Sequence, residues 1–170
     1  MKLAGLTKEA KWHNRVAISH AFHLKDLPEA QMEEAYELMK DCGIELISVV
    51  QIDGRMPDFK YYVDKGIKLS LGCDGIHDSW NPYWSANVLE RALNYCVIYR
   101  MKREKELAYA MGLITGGITP VSMAGERQWP KENDSADFLL VDATCSAEVI
   151  GRRRPNKAVF FKGNLVYGEI

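Results

Sequence analysis

The stretch Gly72-Cys73-Asp74-Gly75-Ile76-His77-Asp78-Ser79-Trp80 places two carboxylates, an imidazole and an indole directly after the apolar run Ile67 to Leu71. Carboxylate and imidazole are the groups that bind metal ions and carry protons. In parallel α/β folds such groups work from strand C-terminal ends and the loops that follow, while residues earlier in each strand are core. Gly72 lets the chain turn so that Asp74, His77, Asp78 and Trp80 gather where the strand ends. A second strand end of the same kind lies upstream, where Arg15-Val16-Ala17-Ile18-Ser19 runs into His20 and His23. The plainer reading of Asp74 and Asp78 is that they are Asx-turn residues that stop a strand. For His23 and His77 it is that they sit in solvated loops. Trp80 reads equally as core packing and as a pocket wall.

The elements that would position these residues follow from the apolar pattern. Leu3, Leu6, Ala10 and Trp12 give a partial helical stripe over residues 3–13. Arg15 to His20 is a β-prone run. Asp26 or Leu27 then caps a helix with Pro28 in its first turn, and Met32, Ala35, Tyr36, Met39 and Cys42 recur at spacings of three and four until Gly43 ends it. Ile44 to Val50 is a second strand, followed by Gln51, Asp53 and Arg55. Pro57 opens a short helix that Gly66 closes, and Ile67 to Leu71 is the third strand. Strand, helix, strand, helix, strand is the pattern of parallel βαβ units.

Beyond Trp80 and Pro82 the pattern predicts one long helix. Val88, Leu89, Ala92, Leu93, Cys96 and Val97 form its apolar face and Arg100 to Glu106 a charged end, with Leu107 to Ile114 continuing it until Gly116-Gly117. Thr119-Pro120 starts another short helical turn. From residue 137 the signals are short strands, Asp137 to Asp142, Lys157 to Lys162 and Asn164 to Tyr167, the last two joined by a tight turn at Lys162-Gly163-Asn164.

Composition bounds the class. With 170 residues, 47% of them hydrophobic, the chain can build one substantial core but not two full domains. A net charge of -1 leaves no nucleic-acid footprint, and the one tight basic cluster, Arg152-Arg153-Arg154 before Pro155, reads as a solvated turn. No apolar run reaches the roughly 20 residues of a membrane span, and the N-terminus has no signal-peptide core, which points to the cytoplasm. Cys42, Cys73, Cys96 and Cys145 form no CxxC pair, so reduced and mostly buried thiols are expected.

Three blocks carry a family resemblance: Ser19-His20-Ala21-Phe22; Gly72 to Pro82 followed by Ala86-Asn87-Val88-Leu89; and Ser135-Ala136-Asp137-Phe138-Leu139-Leu140-Val141-Asp142. Over residues 10 to 170 the chain resembles the C-terminal part of an amidohydrolase-superfamily metal-dependent hydrolase of the cytosine deaminase-like branch. The resemblance implies an α/β fold, a partial TIM-type (β/α) barrel of about three βα units equivalent to strands six to eight. Short C-terminal β-strands of an accessory β-sandwich would follow. The corresponding domains are 1–130 and 131–170. It also implies that His20 faces a metal-bound hydroxide or substrate and that Asp74 binds a divalent zinc or iron ion and takes a proton from its water. Trp80 would border the substrate pocket, with Asp78 in the same loop.

A metal ion lowers the pKa of bound water from near 16 toward 7, and an adjacent carboxylate can then relay the proton. The family's first-strand His-x-His pair has no counterpart among His13, His20, His23 and His77, and its strand-five histidine and proton-shuttling glutamate would precede residue 1. Asp74 is then the only matched metal ligand where about three are wanted, so the ion is expected to be absent or weakly bound. The other zinc-deaminase fold is disfavoured, since no His-x-Glu or Pro-Cys-x-x-Cys occurs. Three strands of a barrel that needs eight leave unpaired edges. The expectation is a homo-oligomer, most simply a two-fold dimer through the edge of Arg15 to Ser19, or a separate chain that supplies the missing half. Two functions remain: a truncated or split hydrolase of cyclic C–N bonds on a small-molecule substrate, inactive alone, or a non-catalytic remnant with a vestigial site.

Overall fold

A computed structural model describes residues 2–50, 63–122 and 124–170. The chain divides into two compact units, Met1–Ala86 and Asn87–Ile170. The first is α/β: helix α1 (Lys2–Glu9), strand β1 (Ala17–Ser19), a 3-10 helix (Phe22–Asp26), helix α2 (Glu29–Cys42), and strands β2 (Glu45–Ser48) and β3 (Leu69–Leu71). The strands pair in parallel in the order β1-β2-β3, with Ile18 opposite Leu46 and Leu46 opposite Leu69. Both connections are thus crossovers, the arrangement read from the apolar pattern. The second crossover includes residues 51–62, so Gln51, Asp53, Arg55, Tyr61-Tyr62 and the start of the helix expected at Pro57 lie outside the described residues. At its end Gly66 adopts φ 78° and donates to the Val63 carbonyl.

α2 buries Tyr36, Met39 and Cys42, as their spacing requires. Gly43 takes φ 60° and donates to the Lys40 carbonyl while Ile44 donates to Met39, a Schellman closure that hands the chain straight to β2. Ile44, Leu46, Val49, Val50, Ile67, Leu69 and Leu71 complete this core. α1 departs from expectation: Leu3 and Leu6 are exposed and Trp12 lies outside the helix in solvent, while Ala4 and Thr7 are buried. Small residues face inward because a helix can approach its neighbour closely there, and the Cys42 thiol donates to the Ala4 carbonyl.

The second unit holds α3 (Val88–Ile98), α4 (Glu104–Gly112), β4 (Phe138–Val141), α5 (Ser146–Arg152), β5 (Asn156–Phe161) and β6 (Asn164–Gly168). The Asn87 side chain caps α3 by accepting from Leu89 N–H at 3.0 Å. The single long helix expected from residue 88 is in fact two. Arg100 turns left-handed at φ 54°, and Glu106 reaches back to accept from the Lys102 and Arg103 N–H groups, so a new N-terminus forms inside the charged segment. The buried face also differs, comprising Leu89, Arg91, Ala92, Tyr95 and Cys96, with Val97 67% exposed.

Thr119-Pro120 leads into a reversal and not a helical turn. Val121 bridges Arg127, the Thr119 hydroxyl donates to the Val121 carbonyl, and the Ser122 hydroxyl accepts from Ala124 and Glu126 N–H. α5 lies where no helix was expected. Arg152 is its last residue and Arg154 binds Glu148, so the basic triplet is partly structural. β4, β5 and β6 form an antiparallel sheet in that order, with Phe138 stacked on Phe160 at 4.5 Å. The β5–β6 turn has Lys162 and Gly163 at φ 50° and 76°, the positive pair a two-residue hairpin requires.

Candidate functional site

Parallel pairing places the ends of β1, β2 and β3 side by side, and the His20 and Asp74 side chains meet there. His20 donates its backbone N–H to the Ile47 carbonyl at 2.8 Å, and Gly72 donates to the Ser48 carbonyl at 2.9 Å, so both strand ends are tied to β2. Ser48 is almost fully buried and its hydroxyl lies 3.4 Å from the His20 carbonyl, a third tie across the same end. Past these anchors the backbone leaves ordinary conformations. His20, Ala21 and Asp74 all have positive φ, at 67°, 52° and 57°. Such torsions are uncommon for residues with a Cβ and cluster at sites where the surroundings hold them.

The result is a His20 Nε2 to Asp74 Oδ2 distance of 3.7 Å, with side chains 36% and 48% exposed. That is longer than a direct hydrogen bond, yet short enough for one atom to lie within hydrogen-bonding distance of both groups. The opposite ring nitrogen, His20 Nδ1, is buried and has no hydrogen-bond partner among the described residues. The ring also tilts against Phe22 at 5.1 Å. An imidazole held this way, with one face covered and Nε2 toward a carboxylate, can orient or protonate an atom in the opening.

The other candidates are arranged differently. Asp78 Oδ1 accepts from the Trp80 and Asn81 N–H groups at 3.1 and 2.7 Å, so this carboxylate closes an Asx turn in its own loop. Gly75 leaves room for it, since a Cβ there would lie 2.7 Å from Asp78 Oδ2. Trp80 is 88% exposed, which removes the core reading. His77 holds its loop through Trp84 and Pro82 carbonyls, and the exposed His23 lies 3.8 Å from Asp26. Sequence reasoning passed over Ser48; its signal was a hydroxyl inside the apolar run Ile44 to Val50.

Among the described residues no three His, Cys, Asp or Glu side chains converge as a metal cage. A divalent zinc-type ion takes about three protein ligands. One carboxylate and one imidazole therefore do not by themselves fit a resident ion.

No protein-family model matches the chain. It is 39% identical over 163 residues to the uncharacterized protein YahJ of Escherichia coli strain K12, covering 96% of this chain and 35% of YahJ. It is 30% identical over 115 residues to the N-isopropylammelide isopropyl amidohydrolase of Pseudomonas sp. strain ADP, covering 67% of this chain and 28% of that protein. The crystal structure of N-isopropylammelide isopropylaminohydrolase from Burkholderia multivorans superposes with a TM-score of 0.78 at 27% identity, over 96% of this chain and 42% of the other. The chain is a relative of the amidohydrolase superfamily. The 5-methylcytosine deaminase of Klebsiella pneumoniae, liganded with 5-fluorocytosine, shares the fold at a TM-score of 0.76 and 18% identity, over 99% of this chain and 44% of that one. The amidohydrolase match thus runs along nearly the whole chain while spanning less than half of each relative. No helix among the described residues is long and apolar enough to cross a membrane.

Proposed function

We propose that this chain contributes the His20–Asp74 end of a hydrolytic site that removes an exocyclic amino group from a nitrogen heterocycle. β1 to β3 serve as strands six to eight of a (β/α) barrel, and the strands from residue 137 belong to an accessory β-sandwich. The observation that carries the reading is the 3.7 Å His20–Asp74 approach at the C-terminal ends of parallel strands. Two relatives named as an aminohydrolase and a deaminase support the reaction class.

In the reaction, a water oxygen adds to the ring carbon that bears the amine, and the electron pair of the ring C=N bond moves onto the ring nitrogen. Asp74 accepts one proton of the water, and His20 Nε2 steadies the attacking oxygen. The exocyclic carbon–nitrogen bond then breaks as the departing nitrogen takes up the proton held by Asp74, while the second proton of the water passes from the added hydroxyl to the ring nitrogen, which leaves the ring carbon as a carbonyl. A proton relay of this kind contributes about 10²- to 10⁴-fold to rate. Two groups cannot also bind and polarise the ring, so the remaining donors come from a further polypeptide segment, and the chain alone is inactive.

The test measures ammonia or amine release from cytosine and aminotriazine substrates. The chain is assayed by itself and mixed with the portion of the Burkholderia multivorans protein that it does not span. The expected outcome is no turnover above the Asp74→Asn control for the chain alone. The mixture should turn over and lose about 10²-fold or more on Asp74→Asn. Turnover in the mixture that survives Asp74→Asn would refute the assigned site. A mixture that binds but never turns over would favour the non-catalytic reading, which the two-donor set also suits.

A further inference from the structure

We propose that Asp78 is a positioning residue whose carboxylate holds the loop after β3 so that Asp74 stays turned toward His20, an inference that rests on the hydrolytic reading above and names what fixes its site. Asp74 lies beyond the last tie to β2, the Gly72 N–H, and keeps φ 57° although its side chain is half-exposed. Such a torsion is disfavoured for a residue with a Cβ and persists where the surroundings impose it. His20 cannot impose it, because 3.7 Å is too long for a hydrogen bond between the two side chains.

The loop itself supplies the constraint. Asp78 Oδ1 accepts from the Trp80 and Asn81 N–H groups, and the same carboxylate lies against Gly75, the residue joined to Asp74. A Cβ on Gly75 would stand 2.7 Å from Asp78 Oδ2 and 3.0 Å from Oδ1. Gly75 does not have a positive φ, so glycine is needed there for room and not for torsion. His77, at φ 47°, closes the far side: its N–H donates to the Trp84 carbonyl at 2.8 Å, and its ring Nδ1 lies 3.2 Å from the Pro82 carbonyl. One carboxylate thus connects the residue after Asp74 to the backbone of Trp80 and Asn81, and its loss frees both ends. The acceptor oxygen carries this role and the charge does not, so asparagine can replace Asp78. A carboxylate that met the substrate through its charge could not be replaced in this way.

NMR on the isolated chain reads the geometry without any turnover. Asp74 should give the strong intraresidue N–H/Hα cross-peak of a left-handed torsion in the native chain and in Asp78→Asn, and lose it in Asp78→Ala. Gly75→Ala keeps the carboxylate but pushes it from its seat, and should behave as Asp78→Ala does, with far-UV circular dichroism showing both variants folded. In the mixture with the Burkholderia multivorans portion, Asp78→Ala should lower kcat about tenfold or more with KM within about threefold of native, while Asp78→Asn keeps kcat within about threefold. An Asp74 cross-peak unchanged in Asp78→Ala, or lost equally in Asp78→Asn, overturns the proposal. So does an Asp78→Asn mixture as slow as the Asp74→Asn one, which would make Asp78 a substrate contact. A native mixture without turnover, beside the expected NMR pattern, supports the positioning role and counts against the hydrolytic reading alone.

Discussion

His20 and Asp74 meet because two residues with side chains accept left-handed backbone torsions at the ends of the two strands that flank β2. The ties that hold them there, Ile47 to His20 and Ser48 to Gly72, are backbone hydrogen bonds that any sequence could make. The apolar pattern therefore revealed the strand ends, and with them both residues, but not their 3.7 Å approach or the part played by Ser48. Asp78 shows the opposite outcome. Its residue type alone cannot tell a substrate carboxylate from an Asx-turn carboxylate, because both accept hydrogen bonds from N–H groups; only the 2.7 Å contact to its own loop reveals the second role. Thiol chemistry is also set locally. Burial, with the Glu106 carboxylate adding to it, pushes the Cys96 thiol up to about 11, whereas Cys145 is exposed. Thiolate is the reactive form. Iodoacetamide at about pH 8 should thus label Cys145 in the native protein and reach Cys96 only after unfolding, which peptide mass mapping can follow.

At the scale of elements, helix ends decided what the sequence showed. α2 was legible from Met32 to Gly43 because its apolar spacing and its glycine stop agree. Gly43 also has no room for a side chain: at φ 60°, a Cβ would fall 1.9 Å from Asn14 Oδ1. Gly43→Ala should cost at least about 1–2 kcal/mol, read from urea unfolding, while Gly5→Ala in α1, which meets open space, should be neutral or stabilising. The break between α3 and α4 was not legible, since neither glycine nor proline marks it; Glu106 marks it, by capping backward across three residues.

α5 was missed for a related reason. It spans only seven residues, and its start depends on Glu148 accepting from the Thr144 N–H and hydroxyl while its end depends on Arg152 and Arg154 reaching the same carboxylate. The Thr144 backbone bond first, and the Arg154 and Thr144 side-chain bonds after it, hold the Glu148 carboxyl at about 2, below its ordinary 4.5. The unfolded chain thus binds the proton more readily, and the stability Glu148 provides is complete above about pH 4.5 and is lost as pH falls toward 2. The Tm difference between native protein and Glu148→Gln should be largest near pH 6 and shrink steadily below about pH 4.5. A difference constant across that range would mean that the ionised carboxylate does not hold this helix.

At the scale of the molecule, each unit builds its own core, the first around β2 and α2 and the second around Tyr95, Ala110 and Ile150. Local period and turn chemistry specify both sheets, so the α/β class was readable from sequence. What lies outside local pattern is how many donors one site can gather. Zinc-type ions are held by about three protein ligands, and each missing ligand exposes the ion to water and raises its dissociation rate. His20 and Asp74 supply one imidazole nitrogen and one carboxylate, and among the described residues no third His, Cys, Asp or Glu joins them. The purified chain should then retain less than one equivalent of zinc or iron after dialysis against a chelator, and Asp74→Ala should not change that amount. Elemental analysis of both proteins decides the matter. Stoichiometric metal that survives the chelator and disappears in Asp74→Ala would show that this chain completes a cage of its own and needs no other segment to do so.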